Sequence, residues 1–253
     1  VSTDYDTSDE LYFEPITKEH LLSILDHIQP HGFVPQLGGQ TPINLAQDLV
    51  DNGHSILGSS VSSLDLAEDR AQFIKICEDF DFQIPRSGMA TSFENALEIS
   101  RSVGFPMVCR PSYVLGGRRM EVLENEEDLK LYFQRHGEFV SENNPCLMDQ
   151  FLERALEVDV DLVRCSEWSV IGGIIEHIEA AGVHSGDSMG VVPPQRLKPE
   201  TQEKIATLST ALADRMNIFG FMNLQLAVKN DEVFMLEVNP RSSRSVPFIS
   251  KAT

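Results

Sequence analysis

The sequence predicts a mixed fold in which an α/β region is followed by an α+β region. Helical and extended segments alternate over residues 17–67, as they do where helices cover the faces of a parallel sheet. From residue 156 onward, short segments alternate apolar and polar side chains, which is typical of antiparallel strands with one buried face. Two of these segments flank Asn230-Asp231, a pair that indicates a hairpin turn. Two structural units of different class are therefore expected.

The composition is that of an ordinary globular protein, since 42% of the 253 residues are hydrophobic and only 23% are charged. A net charge of −19 argues against a nucleic-acid groove, which needs clustered Lys and Arg. An apolar run of about 18 residues, the length of a membrane span, is absent, and so is a secretory signal. The chain starts at Val1 without Met, which suggests a fragment of a longer protein.

The four cysteines have neither metal-ligand spacing nor the density of a disulfide framework. They lie in apolar or mixed surroundings at Cys77, Cys109, Cys146 and Cys165. We therefore expect reduced thiols and a cytoplasmic protein. The net charge and the lack of a long apolar run predict that it has no nucleic-acid or membrane partner.

Residues 17–67, called the first region below, predict a helix at 21–28, a short strand at 33–36, a helix at 41–50 and a strand at 54–57. Two strands are too few for an independent doubly wound sheet, so part of this domain is expected upstream. We then expect an unpaired strand edge or an apolar patch in this region. Residues 38–42 could accept an anion at a helix N-terminus or form a tight turn, and the lack of a fuller glycine fingerprint favours the turn.

Residues 68–103 predict two amphipathic helices, the second opening with a capping-box pattern from Thr91 to Glu94. A short strand then delivers Arg110, and a loop containing Gly116-Gly117 and two further arginines follows. Such a loop could close over a polyphosphate, or it could be an exposed glycine turn with solvated arginines. It is not a P-loop, because the GxxxxGK[ST] pattern is absent.

A helix is predicted at 125–135, and residues 146–152 read as a buried strand that runs into a hinge. Residues 156–162 predict a strand whose acidic face is interpreted as solvated, although one ribose-binding carboxylate there would not be visible from the pattern. Residues 168–178 predict another strand, in which Gly172-Gly173 permits a close approach. The loop after it contains His184, which fits a zinc site poorly and is more often incidental when alone.

The hairpin predicted over residues 221–244 carries the strongest chemical signal. Glu237 and Asn239 share a strand face and offer hard oxygens of the kind that Mg²⁺ prefers. Arg241 and Arg244 follow, and guanidinium groups suit phosphate or carboxylate oxygens. The alternative is an ordinary hairpin in which Glu237 pairs with Arg241 at the surface.

A shared metal site in this hairpin makes a prediction about strand register. Uninterrupted pairing across a two-residue turn would place Leu224, not Gln225, opposite Glu237. We therefore expect a bulge or an odd-length loop, with Asn230 or Asp231 in the left-handed region. A plain hairpin would contradict a metal shared by Gln225 and Glu237.

Several longer motifs resemble one family. The segments RPSYVLGG, EHIEAAGVHSGDS and EVNPRSSRSVPFISKAT, and residues 1–9, resemble the large subunits of carbamoyl phosphate synthetases, and the resemblance runs over residues 1–253. It implies a truncated Rossmann-like pre-ATP-grasp domain at 1–67 and an ATP-grasp domain at 68–253 that is truncated at its C-terminus. A small lid subdomain is expected at about 104–152.

The resemblance also implies a set of site residues at matching positions. Those for the nucleotide are Arg110 at the phosphates, Gln150 and Leu152 at the adenine, Glu157 at the ribose, and Gly182, Val183, His184 and Ser185 along the site. Those for the divalent metal, Mg²⁺ or Mn²⁺, are Gln225, Glu237 and Asn239, with Arg241 and Arg244 facing phosphate and substrate. The loop from His177 to Val183 resembles a monovalent-cation site, so K⁺ is also expected.

The family's large subunit has two homologous halves, and Tyr113 and His184 resemble the second, which phosphorylates carbamate with ATP. The implied role is a ligase step in carbamoyl phosphate formation for arginine and pyrimidine biosynthesis. The implied partners are the rest of the large subunit and a glutaminase small subunit. Met189 and the residues after it depart from the family's smaller side chains, which affects the substrate side. The alternatives are another ATP-grasp carboxylating ligase, or a nucleotide-binding fragment without turnover.

Overall fold

The computed structural model describes residues 8–68, 70–80, 82–111, 120–183 and 187–253. The helices are α1 Lys18–Ile28, α2 Gln40–Asn44, α3 Ala46–Asp51, α4 Val61–Glu68, α5 Arg70–Asp79, α6 Phe93–Val103, α7 Glu126–His136, α8 Pro199–Arg215 and α9 Val246–Ala252. The strands are β1 Ser87–Ala90, β2 Met107–Pro111, β3 Glu121–Leu123, β4 Cys146–Gln150, β5 Leu156–Arg164, β6 Ser169–His177, β7 Gly190–Val191, β8 Gly220–Lys229 and β9 Glu232–Asn239.

Within residues 8–68, the chain forms the helices α1 to α4 and one parallel β-bridge, between Phe33 and Ile56. The two strands predicted there are therefore wrong, because each has a single bridging residue and Pro35 starts a 3₁₀ turn instead. The small core of this region consists of Ile43, Ala46 and Leu64. Within residues 8–67 the exposed large apolar side chains include Tyr12, Phe13, Ile16, Ile28, Val34, Leu37 and Leu57. Individual exposures do not test the expected strand edge or apolar patch, which stays a prediction.

A small four-stranded sheet has the strand order β1-β4-β2-β3 and packs against α6 and α7. This unit starts at Ser87, earlier than the lid boundary expected near residue 104. Strand β1 was missed because its four residues include Gly88 and the exposed Met89, which give no alternation. The side chain of Ser92, rather than Thr91, caps α6 by accepting a hydrogen bond from the Asn95 amide at 3.2 Å.

The larger sheet is antiparallel, with the order β7-β6-β5-β8-β9. One face forms the main core with α5 and α8, because alternate residues of β5 and β8 point toward those helices. That face includes Val158, Val160, Leu224 and Leu226, each at most 1% exposed. The opposite face carries polar side chains, among them four of the residues expected at the site: Glu157, Gln225, Glu237 and Asn239.

Helix α9 covers one end of this polar face. Its Ile249 lies against Gly173 of β6, where an added Cβ would come within 2.8 Å of the Ile249 Cδ1 atom. The close approach predicted at Gly172-Gly173 is therefore confirmed, and α9 is the element that approaches. The four cysteines are unpaired, and three of them are buried.

Candidate functional site

The β8–β9 hairpin contains the bulge that the sequence predicts. Its two-residue turn has positive φ angles of 54° at Asn230 and 65° at Asp231. Pairing is regular from Lys229↔Glu232 to Leu226↔Met235, after which the register shifts and Gln225 faces Glu237. The prediction of a bulge with left-handed turn residues is confirmed. The consequence is that Gln225 and Glu237 lie on one face of the sheet.

Asn223 and Asn239 form the next pair along the same face. Asn239 is 8% exposed, whereas Glu237 is exposed at the outer strand of the sheet. The shared face therefore holds one carboxylate and three amide side chains on two adjacent strands. Carboxylate and amide oxygens are hard donors that suit Mg²⁺, so the set Gln225, Glu237 and Asn239 fits a divalent ion chemically. Among the described residues, no cluster of three His, Cys, Asp or Glu offers an alternative metal site.

The acidic face of β5 lies directly beside these residues, and the interpretation that it is solvated is wrong. Asp159 pairs with Gln225 and Asp161 with Asn223 in the β5–β8 ladder. Asp161 is 4% exposed and accepts a 2.9 Å hydrogen bond from the Asn223 Nδ2 atom and another from the Ser245 hydroxyl. The sheet therefore buries this carboxylate as a structural acceptor.

Arg241 turns back onto the candidate metal ligand that precedes it by two residues. Its Nη2 atom donates to the Asn239 Oδ1 atom at 3.1 Å, and its backbone amide donates to the Asn239 carbonyl at 2.8 Å. The Arg241 Nε atom is buried without a hydrogen-bond partner among the described residues. A buried N–H of this kind suits an incoming anionic oxygen. Arg244 is exposed on the same segment.

At the other end of the polar face, Glu157 is bound to the loop that follows β6. Its Oε1 atom accepts a 2.9 Å hydrogen bond from the Gly182 amide, and Gly182 has a φ of 99°, which favours glycine. Its Oε2 atom lies 3.6 Å from the His177 Nδ1 atom. The expected ribose carboxylate is thus held against the loop that includes Val183, which is 39% exposed.

His177 is 5% exposed, and its Nε2 atom lies 2.9 Å from the Asp159 Oδ2 atom. The hydrogen bond to Asp159, together with Glu157 on the other side of the ring, raises the pKa of His177 to about 9 and outweighs burial, which lowers it. A protonated imidazole therefore joins two carboxylates of β5. Sequence reasoning did not assign His177 or Asp159 to this contact, although strand alternation places them on the site face.

This arrangement predicts how the stability of the protein depends on pH. The folded-state pKa of His177 is raised above its ordinary value of 6.5, so its stabilisation is fully present below pH 6.5 and is lost as the pH rises through about 9. The expected loss is on the order of 3 kcal/mol of unfolding free energy. Urea unfolding between about pH 6 and about pH 9.5 should show this decline in the wild type and a much smaller one in His177→Gln. The exposed His31→Gln variant is the control, and an unchanged pH slope in His177→Gln would contradict the assignment.

The residues expected at the adenine lie where the small sheet meets the large one. The Gln150 amide donates to the Arg86 carbonyl at 2.8 Å, and the Gln150 Oε1 atom lies 3.3 Å from the Arg86 Nε atom. Leu152 is 5% exposed and packs with Ala155, Ala181, Ala227 and Phe234. Leu152 therefore joins the hinge to β8 and β9.

Arg110 lies on β2 of the small sheet, and its Nη2 atom is 4.0 Å from the Asp149 Oδ2 atom. The Arg110 side chain is 49% exposed, and an ion pair at this distance holds its guanidinium weakly. The glycine loop at 112–119, which includes Tyr113 and Gly116-Gly117, lies outside the described residues, and so do His184 and Ser185.

Solved structures of other proteins share this fold. They include the biotin carboxylase domain of 2-oxoglutarate carboxylase from Hydrogenobacter thermophilus in complex with MgADP, ADP and bicarbonate, with a TM-score of 0.78 and 15% identity, covering 98% of this chain and 58% of that one. They also include N5-carboxyaminoimidazole ribonucleotide synthetase from Thermus thermophilus, with a TM-score of 0.75 and 15% identity, covering 97% and 64%. At such identities the likeness concerns the fold alone, and that fold is the one used by ATP-grasp ligases.

The family described as "Carbamoyl-phosphate synthase L chain, ATP binding domain" matches residues 69–253, and the chain belongs to this family. Residues 1–66 match the description "Carbamoyl phosphate synthase preATP-grasp domain". Over 253 residues, the chain is 53% identical to the carbamoyl phosphate synthase large chain of Archaeoglobus fulgidus and 50% identical to that of Rubrobacter xylanophilus. All of this chain is covered, but it spans only 23% and 24% of those proteins. Across the described residues, no helix has the length and hydropathy of a membrane span.

Proposed function

We propose that this chain phosphorylates carbamate with MgATP as one part of a carbamoyl phosphate synthase large chain. The observation that carries the proposal is the bulged register, which sets Gln225 opposite Glu237 with Asn239 and Arg241 beside them. This arrangement combines hard oxygen ligands with a guanidinium that can meet phosphate oxygens. The domain boundary at 67/68 and the lid function of the glycine loop belong to the same proposal.

In the proposed reaction, a carbamate oxygen attacks the γ-phosphorus of ATP. The bond between that phosphorus and the oxygen that bridges the β- and γ-phosphates breaks. The products are carbamoyl phosphate and ADP. Carbamate already carries an oxyanion, so no general base is required, which agrees with a site built from amides, carboxylates and arginines. Gln225, Glu237 and Asn239 would hold a divalent cation, and such a cation supplies charge neutralisation at the phosphates.

The remaining side chains bind and orient. Arg241 and Arg244 would meet phosphoryl and substrate oxygens, while Arg110 would meet the nucleotide phosphates from the small sheet. Glu157 would accept a hydrogen bond from the ribose while it keeps the one from the Gly182 amide. Gln150 and Leu152 would border the adenine. The polar face of the sheet and the small sheet together would exclude water, which matters because carbamate and carbamoyl phosphate are labile.

The proposal extends to the complete enzyme and its partners. Bicarbonate, glutamine or ammonia and two ATP would give carbamoyl phosphate, with the rest of the large chain and a glutaminase small subunit supplying the other steps. Its setting would be the cytoplasm and its product would serve arginine and pyrimidine biosynthesis. Mn²⁺ could replace Mg²⁺ at the oxygen ligands, and K⁺ would bind the loop from His177 to Val183.

The reverse reaction provides the test. A complete large chain that carries this sequence should form ATP from MgADP and carbamoyl phosphate, and the 253-residue chain should bind MgADP in calorimetry. A coupled assay with hexokinase measures the ATP formed. MgADP binding without ATP formation by the complete chain would indicate a nucleotide-binding module. Bicarbonate-dependent ATP cleavage without ATP formation from carbamoyl phosphate would indicate another carboxylating ligase.

A further inference from the structure

A buried amide side chain connects the first region of the chain to the candidate site. Gln36, in the 3₁₀ turn Pro35–Leu37, is 2% exposed. Its Nε2 atom lies 2.8 Å from the Pro240 carbonyl oxygen and 3.2 Å from the Phe221 carbonyl oxygen. These partners lie 204 and 185 residues further along the chain. The Gln36 side chain therefore contacts β8 and the residue that follows β9.

The two carbonyls mark the ends of the strands that carry the candidate metal ligands. Phe221 lies two residues before Asn223, and Pro240 directly follows Asn239. Asn223 and Asn239 form the last pair of the β8–β9 ladder. The Gln36 amide therefore lies beyond that last pair and joins the two strand ends with side-chain hydrogen bonds where the backbone ladder stops.

The backbone of Gln36 holds the segment that carries the arginines. Its carbonyl oxygen accepts the Ser242 amide at 3.0 Å and the Ser242 hydroxyl at 3.1 Å. At the other end of the segment, the Ser245 hydroxyl donates to Asp161. Residues 240–245 are thus attached at both ends, and Arg241 and Arg244 lie between the attachments.

The surroundings of the Gln36 amide leave little room for it to move. An added Cβ would lie 2.5 Å from the Gln36 Oε1 atom at Gly58 and 3.0 Å from it at Gly220, and both glycines have positive φ. The Ser59 amide donates to the same Oε1 atom at 3.3 Å. An amide whose nitrogen and oxygen are both engaged in a buried site fixes the geometry of its partners.

We propose that Gln36 is a positioning residue that sets the orientation of Asn239 and Arg241 by fixing Pro240 and Ser242. This proposal rests on the proposed function, because it gives a role in catalysis to a contact between the two regions. Residues outside the ligand set that orient metal ligands typically change metal affinity by about 10–100-fold when they are removed. The same effect is expected for Gln36, since it acts on the peptide unit that follows Asn239.

The test compares Gln36→Met with the wild type in a complete large chain that carries this sequence. Methionine keeps the approximate length of the side chain but cannot donate to the Pro240 and Phe221 carbonyls. The apparent affinity for Mg²⁺ in ATP synthesis should fall about 10–100-fold, whereas ADP binding without Mg²⁺ should not change. Amide hydrogen exchange in residues 240–245 should become faster. Gln47→Met is the matched control, because Gln47 is exposed in the same region and bonds to Asp51 on its own helix.

The second variant, Ser242→Ala, removes the hydroxyl that donates to the Gln36 carbonyl and keeps the hydrogen bonds of the Gln36 side chain. It tests the proposal if Gln36→Met fails to fold. Faster amide exchange in residues 240–245 with a normal melting temperature would support the role of Gln36 in holding this segment. Unchanged exchange and Mg²⁺ dependence in the folded variants would overturn the positioning role. A wild type that makes no ATP would instead overturn the proposed function, while the exchange data would still decide whether Gln36 holds the segment.

Discussion

Glu237→Gln, made in a complete large chain that carries this sequence, is expected to reduce ATP synthesis from MgADP and carbamoyl phosphate by about 10²–10³-fold. Glu237 is the charged member of the candidate ligand set and faces Gln225 across the bulged hairpin. Glutamine keeps the shape of the side chain but removes the negative oxygen that would hold a divalent cation against the phosphates. The loss of one preorganised charge in a site of this kind accounts for the expected size of the effect.

The same variant tests which synthetase half this chain represents. Bicarbonate-dependent ATP hydrolysis should largely survive, because the other half would have its own metal site, and glutamine-driven carbamoyl phosphate formation should collapse because it needs both steps. Glu232→Gln is the control, since Glu232 is exposed on the same strand but next to the turn. Loss of bicarbonate-dependent hydrolysis with retained ATP synthesis would assign the chain to the first half and contradict the interpretation of Tyr113 and His184.

The hairpin could be predicted in detail because its constraints are local. Alternation places Gln225 on one face of its strand, and a two-residue turn determines which residue of the next strand faces it. The chemical requirement that Gln225 and Glu237 share a face then leaves an extra residue as the solution, and the structure places the register shift between Gln225 and Leu226. Here the sequence pattern and the chemistry together determine the geometry.

The acidic strand shows where local patterns stop being sufficient. Alternation identified the face of β5 that carries Glu157, Asp159 and Asp161, but a solvated face and a buried polar face have the same pattern. Which of the two forms depends on the strands and helix placed beside it, here β6, β8 and α9. The burial of Asp161 by Asn223 and Ser245 therefore required the tertiary structure.

Gln36 and the first region illustrate the same limit over longer distances. Gln36 lies close to Gly38-Gly39, which the sequence pattern alone allows as part of an anion site. Its side chain instead bonds to carbonyls 185 and 204 residues away. The strands predicted at 33–36 and 54–57 satisfy the pattern for buried strands but form one bridge, and the 3₁₀ turn Pro35–Leu37 replaces the second half of the first strand. The local apolar pattern does not distinguish a strand from such a turn.

Arg241→Met is expected to lower the rate constant for phosphoryl transfer by about 10³-fold, a loss typical of an arginine that stabilises a transferring phosphoryl group. The guanidinium already has one nitrogen on the Asn239 Oδ1 atom and a buried Nε atom without a partner in the described part of the chain. Methionine fills similar space but cannot neutralise charge that develops on the phosphoryl oxygens. Single-turnover kinetics in the complete large chain measure this step directly.

The variant also separates two roles that Arg241 could have. Loss of the bond to Asn239 frees the Asn239 oxygen, so the affinity for Mg²⁺ should hold while the rate constant falls. A fall in Mg²⁺ affinity as large as the fall in rate would contradict a direct role at the phosphates, because Arg241 would then act only by orienting Asn239. Arg215→Met is the matched control, since Arg215 is an exposed arginine in the last turn of α8 and lies outside the candidate site. Its rate and Mg²⁺ dependence should equal those of the wild type.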